Sequence, residues 1–473
     1  MLRATRLRFA SGVLLLAVVL PGCGGGGSGG GGGFAGTPLG SDSDIVYIKA
    51  SNTAADDRFG GSLQQPLAAE DNFGGDTVAL SADGDTLVVG APTHPMAAGA
   101  GRVYVFVRDG GGDWSEQATF QGTNTGATDR FGASVALSAN GDTLAVGSPL
   151  DDGTALNAGA VYVFTRSDSS WGEEEYIEAS VPAAGDVFGT SVALSEDGNI
   201  LAVGAIGKDG GASQEGAAYL FTRGGSTWTE RDTVVSTTPE NNDLLGYRVA
   251  LSANGRTLAV GAVQDGASDR PTGAGAVHVF TDGNADDDWD FLQEVHAPSP
   301  EKGAKFGASV ALSDSGDRLA AGAHAEDGRG EVHVFLVSGG TYGLEQSLVA
   351  SNADSGDRFG ASVALSAAGD LLVVGATFED SSATGIDGNA GNDSATDAGA
   401  TYLFSRSGTS WSQMNYIKAT NTDANDFFGE SVALSDDAEE LAIGAGGEAS
   451  NATGINGNQD NDSTNNAGAV YLY

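Results

Sequence analysis

The string Val-Ala-Leu-Ser occurs seven times, starting at Val78, Val135, Val192, Val249, Val310, Val363 and Val432, at spacings of 57, 57, 57, 61, 53 and 69 residues. A repeat of that length means that one supersecondary unit is stacked on copies of itself, each burying apolar surface that it cannot bury alone. Each copy holds four strand-like runs. FGASVALSANGDTLAVGSP (Phe131–Pro149) supplies two, GAVYVF (Gly159–Phe164) a third and WGEEEYIEAS (Trp171–Ser180) a fourth. The first two are short, rich in Val, Leu and Ala, and apolar on both faces, as strands covered from both sides must be. Between them lies Ser-x-x-Gly-Asp, where Gly supplies the positive φ of a tight turn. The third run alternates and carries Tyr104, Tyr162, Tyr219, Tyr402 or Tyr471, with His278 and His333 in the same slot of two copies. These two histidines are read as packed or edge residues. The fourth run is more polar and is opened by Trp114, Trp171, Trp228, Trp289 or Trp411, with Tyr342 in the fifth copy, which makes it the outer edge. Four strands per repeat and seven repeats predict an all-β, seven-bladed β-propeller of four-stranded antiparallel blades.

Strand counting predicts how the ring closes. The chain stops at Tyr473, at the end of a third strand, so the last copy lacks its fourth. An unassigned fourth strand stands at the other end: DIVYIKASN (Asp44–Asn52) matches NYIKATN (Asn415–Asn421). The amino-terminal strand should therefore complete the last blade, which hides both sheet edges. The propeller domain spans 44–473. A second Phe-Gly, at Phe59-Gly60, precedes the one at Phe73-Gly74, so Ser62–Asp71 reads as an insertion.

The segment before the propeller reads as an address. Arg3, Arg6 and Arg8 form a basic start, and Ala10–Leu20 is an apolar stretch too short to span a bilayer. Leu20-Pro21-Gly22-Cys23 resembles the bacterial lipobox, which implies cleavage after residue 22 and lipid on Cys23. Residues 1–22 are then a lipoprotein signal peptide and 23–43 a lipidated cysteine with a flexible tether, since Gly24–Gly33 is interrupted only by Ser28. The residue after Cys23 is Gly24. In lipoproteins of Gram-negative bacteria an Asp there signals inner-membrane retention, so the resemblance implies an outer-membrane lipoprotein, periplasmic or surface-exposed. Cys23 is the sole cysteine, and no intrachain disulfide can form.

Charge narrows the partners. Lys+Arg number 22 and Asp+Glu 63, a net charge of −41 that becomes −44 when the three leader arginines are removed. Nucleic acid and anionic headgroups are thereby excluded as partners for the protein surface. The acidity suits solubility in a salty or extracellular setting, or a surface that collects cations.

The phrase FGxSVALSxxGDxLAVGAP followed by GAVYVF resembles the FG-GAP repeat of the integrin α-subunit propeller and its bacterial relatives. It is carried by Phe73-Gly74, Phe131-Gly132, Phe188-Gly189, Phe306-Gly307, Phe359-Gly360 and Phe428-Gly429, with Leu245-Gly246 departing in the fourth copy, and by Gly90-Ala91-Pro92 and Gly147-Ser148-Pro149. In the integrin relatives several first-to-second-strand loops read like Asp-x-Asp-x-Asp-Gly-x-x-Asp and wrap Ca²⁺. Here that loop is cut to Ser-x-x-Gly-Asp, whose last position is Asp85, Asp142, Asp317 or Asp370 but also Asn199, Arg256 and Glu439. One or two acids cannot supply six to eight oxygens, so calcium is not carried over to these turns.

A different pair of loops is the calcium candidate. Thr384–Ala400 (TGIDGNAGNDSATDAGA) and Thr453–Ala469 (TGINGNQDNDSTNNAGA) align without a gap. Asp387, Asn389, Asp393 and Asp397 in the first, and Asn458, Asp460 and Asp462 in the second, are hard-oxygen donors spaced by glycine. The same residue types favour turns through Asx hydrogen bonds without any metal. Both readings stand at this point.

The chain holds no metal-type His pair, nucleophile elbow or phosphate loop. Glu173-Glu174-Glu175 and Asp286-Asp287-Asp288 are read as solvated edges. The expectation is a monomeric, non-catalytic adhesion or binding module. In a propeller the fourth-to-first and second-to-third loops share one face, and here they are the long, variable ones. That face should recognise a protein or a glycan. The alternatives are a structural platform in an envelope complex and, from another class, a propeller hydrolase or lyase.

Overall fold

The computed structural model describes Leu39 and residues 45–62, 76–94, 99–266 and 271–473. The leader, Cys23 and the Gly-rich tether lie outside the described residues. Among the described residues there are seven antiparallel sheets, and the helical content is a 3-10 turn at Glu326–Gly328. A representative blade, the second, is built of Ser134–Leu137, Thr143–Ser148, Ala160–Ser167 and Ser170–Ile177, hydrogen-bonded in chain order. The first strands of the seven blades contact one another in cyclic order, the last against the first. The chain is thus an all-β seven-bladed propeller.

The ring closes as strand counting predicts. Val46–Ile48 pairs antiparallel with Ala469–Leu472, with Val46 opposite Leu472 and Ile48 opposite Val470. It is the fourth strand of the seventh blade. Tyr47 and Ile48 are fully buried there.

The Phe-Gly pairs explain how blades are joined. Phe131 packs edge-on against Tyr162 and Phe164 of its own blade, at ring separations of 5.3 and 6.0 Å. Phe188, Phe306 and Phe359 repeat that packing. The carbonyl of the glycine beside each Phe or Leu lies on a glycine in the second strand of the preceding blade. A Cβ on Gly90, Gly147, Gly204, Gly261, Gly322, Gly375 or Gly444 would stand 2.0–2.1 Å from that oxygen. The apolar strand therefore carries glycine at this point because the next blade's backbone occupies the space.

The first blade corrects one expectation. Phe59 packs on Tyr104 and Phe106, and the Gly60 carbonyl meets Gly444, so this pair fills the first blade's Phe-Gly place. Phe73-Gly74 lies outside the described residues. Position along the chain favoured the copy nearer to the strand, but the contact with the seventh blade selects the copy that follows the closing strand. The extra residues fall between Gly60 and Asp76.

Blade six is also not purely four-stranded. Gly385–Ile386 adds a short fifth strand outside Ser410–Lys418. In the seventh blade Ile455 makes the matching bridge to Ile48. The two aligned loops thus fold back over the outer strands of their own blades.

The triple glutamate is not a solvated edge. Glu173 accepts hydrogen bonds from Thr123 N and Oγ1. Glu174 pairs with Arg223 and accepts from Trp228 Nε1, and Glu175 accepts from Trp228 N at 2.6 Å. These acids clamp the outer strand of the second blade to its neighbours. Exposed outer strands need such links because their apolar burial is small. Asp286–Asp288 does sit in a polar turn, where Asp282 accepts from Asp286 N and Asp287 N.

The residue before each Phe-Gly or Leu-Gly pair has a left-handed backbone in all seven blades. These are Arg58, Arg130, Val187, Leu244, Lys305, Arg358 and Phe427, with φ from 51° to 65°. They stand where the loop face meets the start of the innermost strand.

Candidate functional site

On the loop face every blade brings together two loop positions. The first is two residues before the Phe or Leu of the motif, occupied by Asp57, Asp129, Asp186, Asp243, Asp357 and Asp426, with Ala304 in blade five. Each of these aspartates is buried. Its Oδ2 accepts the N–H three residues upstream, at 2.5–2.9 Å. The second position is four residues after the second-strand glycine: His94, Asp151, Lys208, Asp265, Glu326, Glu379 and Glu448.

What the second position holds decides the electrostatics. His94 Nδ1 lies 2.5 Å from Asp57, and Lys208 Nζ 3.5 Å from Asp186. In blades two, four, six and seven both positions are acids. Burial pushes Asp129 and Asp243 up to about 6, with Asp151 and Asp265 adding to the shift. Burial likewise pushes Asp357 up to about 7 and Asp426 to about 8, with Glu379 and Glu448 beside them. A buried carboxylate next to another keeps its proton unless a cation replaces it.

Blades six and seven carry this arrangement twice in nearly identical form. Glu379 accepts from Tyr416 Oη (2.9 Å), Lys418 Nζ (2.8 Å) and Asn352 Nδ2 (2.9 Å). Glu448 accepts from Tyr47 Oη (2.9 Å), Lys49 Nζ (2.6 Å) and Asn421 Nδ2 (3.2 Å). Both lysines are fully buried. In blade seven the tyrosine comes from the amino-terminal strand and the lysine from the residue just after it, so ring closure completes the site. Beside Glu379 opens a cleft of about 130 Å³ lined by Asn352, Asp354, Asp357, Glu379, Asp380 and Asp393. Its counterpart has Asn421, Asp423, Asp426, Glu448 and Asp462, with Ala449 in the place of Asp380.

The calcium candidates divide between two roles. Asp393 lines the cleft, and Asp462 lies near enough to Asp423 and Asp426 to raise both. Asp460 acts on Asp423 in the same direction. Asp387, at φ 54°, accepts from Tyr416 N and Asn415 Nδ2, both at 2.9 Å, and so pins its loop to the outer strand. Asn389 accepts from Gly391 N, and Asn458 from Asp460 N. Asp397 N donates to Asp380 Oδ1 at 2.8 Å, and burial with Asp380 raises the Asp397 carboxyl against the pull of Arg358. The loops therefore contain both turn-fixing and cleft-facing oxygens. The sequence reading missed Asn352, Asp354, Asp357, Glu379 and Asp380. Their signal was present as an aspartate two before Phe and an acid four after Gly, visible only when the copies are stacked.

The opposite end of the channel holds a second acidic cluster. Backbone hydrogen bonds link the tight turns blade to blade, for example Ala139 N to Glu196 O and Glu196 N to Ala253 O. The side chains of Glu196, Asp314 and Asp436, from blades three, five and seven, offer oxygens within 4.8 Å of one another. Burial, Asp436 and Glu196 push Asp314 up to about 6. Each turn alone has too few acids for a cation, as the sequence indicates, but three turns pool theirs across the axis. His278 and His333 are fully buried beside carboxylates, His278 with Asp265 and Glu294, His333 with Glu326 and Glu331. His333 Nε2 is 2.8 Å from Glu326 and its Nδ1 2.7 Å from Ser347.

The FG-GAP repeat model matches residues 114–164, 171–221, 342–404 and 411–473. Each match runs from the aromatic residue that opens a fourth strand through the third strand of the following blade. No curated protein matches the chain. Solved structures similar to it include the WD40 repeats of RRP9 at 10% identity and TM-score 0.54, covering 92% of this chain and 98% of that one. The periplasmic gluconolactonase PpgL of Pseudomonas aeruginosa is 16% identical with TM-score 0.50, covering 80% and 97%. Kuenenia stuttgartiensis hydrazine synthase is 14% identical with TM-score 0.50, covering 81% and 96%. At these identities the likeness is one of fold. The chain is a seven-bladed β-propeller that carries FG-GAP repeats over those four stretches.

Proposed function

We propose that this propeller is a non-catalytic binding or adhesion module of the cell envelope, held to the outer membrane by lipid on Cys23. Its loop face recognises a protein or glycan, with calcium in the acidic clefts of blades six and seven. The observation that carries this reading is the acidic cleft of blade six, whose lining residues recur in blade seven except at Ala449. Glu379 and Glu448 are already met by buried lysines, while Asp354, Asp357, Asp380 and Asp393 surround open space without a lysine or arginine among the lining residues. A divalent cation there would replace the protons on the raised carboxyls and stiffen both insertions. The buried histidines favour binding over catalysis, because His94 and His333 are held by hydrogen bonds to buried carboxylates, Asp57 and Glu326.

Calorimetry of Ca²⁺ into the chelator-stripped mature chain tests the metal. Binding that weakens in Asp357→Asn and Asp393→Asn supports the reading, and no heat with no thermal shift at millimolar Ca²⁺ rejects it. Glycan-array binding and capture from envelope extracts, each with calcium and with chelator, test recognition. Palmitate labelling of wild type and Cys23→Ala, with protease shaving of whole cells, tests anchoring and exposure.

A further inference from the structure

The left-handed position before each Phe-Gly pair bears a side chain in every blade, although glycine would adopt that backbone at lower cost. On one side of the ring these side chains form an arc. The Arg358 guanidinium lies 4.1 Å above the Phe378 ring. Phe378 and Phe427 are 5.7 Å apart. Arg58 stands 6.0 Å from the Phe427 centroid. Arg130 follows in the next blade, close enough to Arg58 that burial and this neighbour both disfavour its charge.

The arc is short of anions at Arg130. Among the described residues Arg130 has no ion pair and no side-chain hydrogen bond, while Arg358 has its ring contact and the electrostatic pull of Tyr247 and Asp397. Arg58 is met by Glu430 at 3.7 Å and donates to Ser62 O at 3.2 Å. Two adjacent arginines that are half-buried, in a chain with 63 acids and 22 bases, are an arrangement that the fold itself does not require. A carboxylate between them would convert repulsion into paired, charge-assisted hydrogen bonds.

We propose that this arginine rim at the loop-face end of the channel is a carboxylate-binding site, occupied by an acidic side chain on a loop of a protein partner. It rests on the loop-face reading above and names the chemistry of the partner. A polyanionic chain is disfavoured, because the net charge of −41 repels every further anionic group that approaches. A single acidic tip is not, since charges beyond about 8 Å are screened at physiological salt. The clefts beside Arg358 are acidic, so the complementary surface has an acid at its centre and bases around it.

The test uses the mature chain in chelator, with a blocked tripeptide carrying a central Asp as the probe and its Asn analogue and galacturonate as comparators. Saturation-transfer NMR should detect the Asp peptide and not the Asn peptide, with loss at high salt. Arg130→Gln and Arg358→Gln should each weaken binding by about tenfold or more. Without ligand, Arg130→Gln should keep or raise Tm, because a repulsion is removed. An Arg130→Gln variant that melts lower and binds as before would make the arginine structural and overturn the site. Failure of wild type to bind any of the three probes would also overturn it. Equal binding of galacturonate through the same arginines would overturn the protein-loop occupant. The assay contains neither calcium nor an envelope ligand, so a negative result leaves the tests of the preceding reading untouched.

Discussion

Two residue types govern this molecule one position at a time. Gly261 lies under the Gly307 carbonyl, and an added Cβ would come within 2.1 Å of that oxygen. Gly261→Ala should therefore destabilise by roughly 1–3 kcal/mol or more, as overpacking does. Gly283→Ala, with nothing within 4 Å of the new Cβ, should stay within about 0.5 kcal/mol of wild type in denaturant melts. The second type is the buried aspartate. Asp357 and Asp426 rise from an ordinary 3.8 to about 7 and about 8 through burial and their acidic neighbours. A carboxyl raised on folding favours the fold below its ordinary value, and that contribution is lost as pH rises through the folded value. Without metal, these two groups should lower Tm progressively between pH 3.8 and about 8. Asp357→Asn and Asp426→Asn keep an acceptor for the upstream N–H, so they should flatten that slope and melt higher than wild type at its alkaline end. The facing acids were hard to read from sequence because the partner position varies through His, Asp, Lys and Glu. The positive-φ glycines of the tight turns were legible, because Ser-x-x-Gly-Asp repeats its spacing.

At the scale of elements, the amino-terminal strand carries the most leverage. It supplies the edge partner of Ala469–Leu472, and Lys49, the residue just after this strand, meets Glu448 at 2.6 Å with neither side chain exposed. Lys49→Ala leaves a buried carboxylate without its cation and should cost about 3–5 kcal/mol. Lys418→Ala, at the equivalent place in blade six, should cost a similar amount but leave the ring closed. A mature chain beginning at residue 54 should lose more than either, and should aggregate through the bared edge. The closing strand was legible because a third-strand ending and an orphan fourth-strand sequence demand each other. The fifth strand of blade six was not, since two residues, Gly385 and Ile386, carry no periodicity. Phe59 was passed over for Phe73 because local spacing cannot report a contact with the seventh blade.

The whole molecule separates a rigid scaffold from a face of long loops. Seven Phe/Leu-Gly contacts and the inter-blade clamps fix the scaffold, and the tight turns close one face. The long insertions gather on the other face, around paired acids and a rim of arginines. The axial cluster of Glu196, Asp314 and Asp436 was invisible in sequence because its members meet only after the ring closes. The most direct test of the account is hydrogen exchange of the mature chain with and without Ca²⁺. The account predicts slow exchange of residues 46–48 and of all seven inner strands in both states, with protection gained on calcium at 380–397 and 450–466 alone. Rapid exchange of 46–48, or calcium protection centred on the tight-turn face instead, would contradict it.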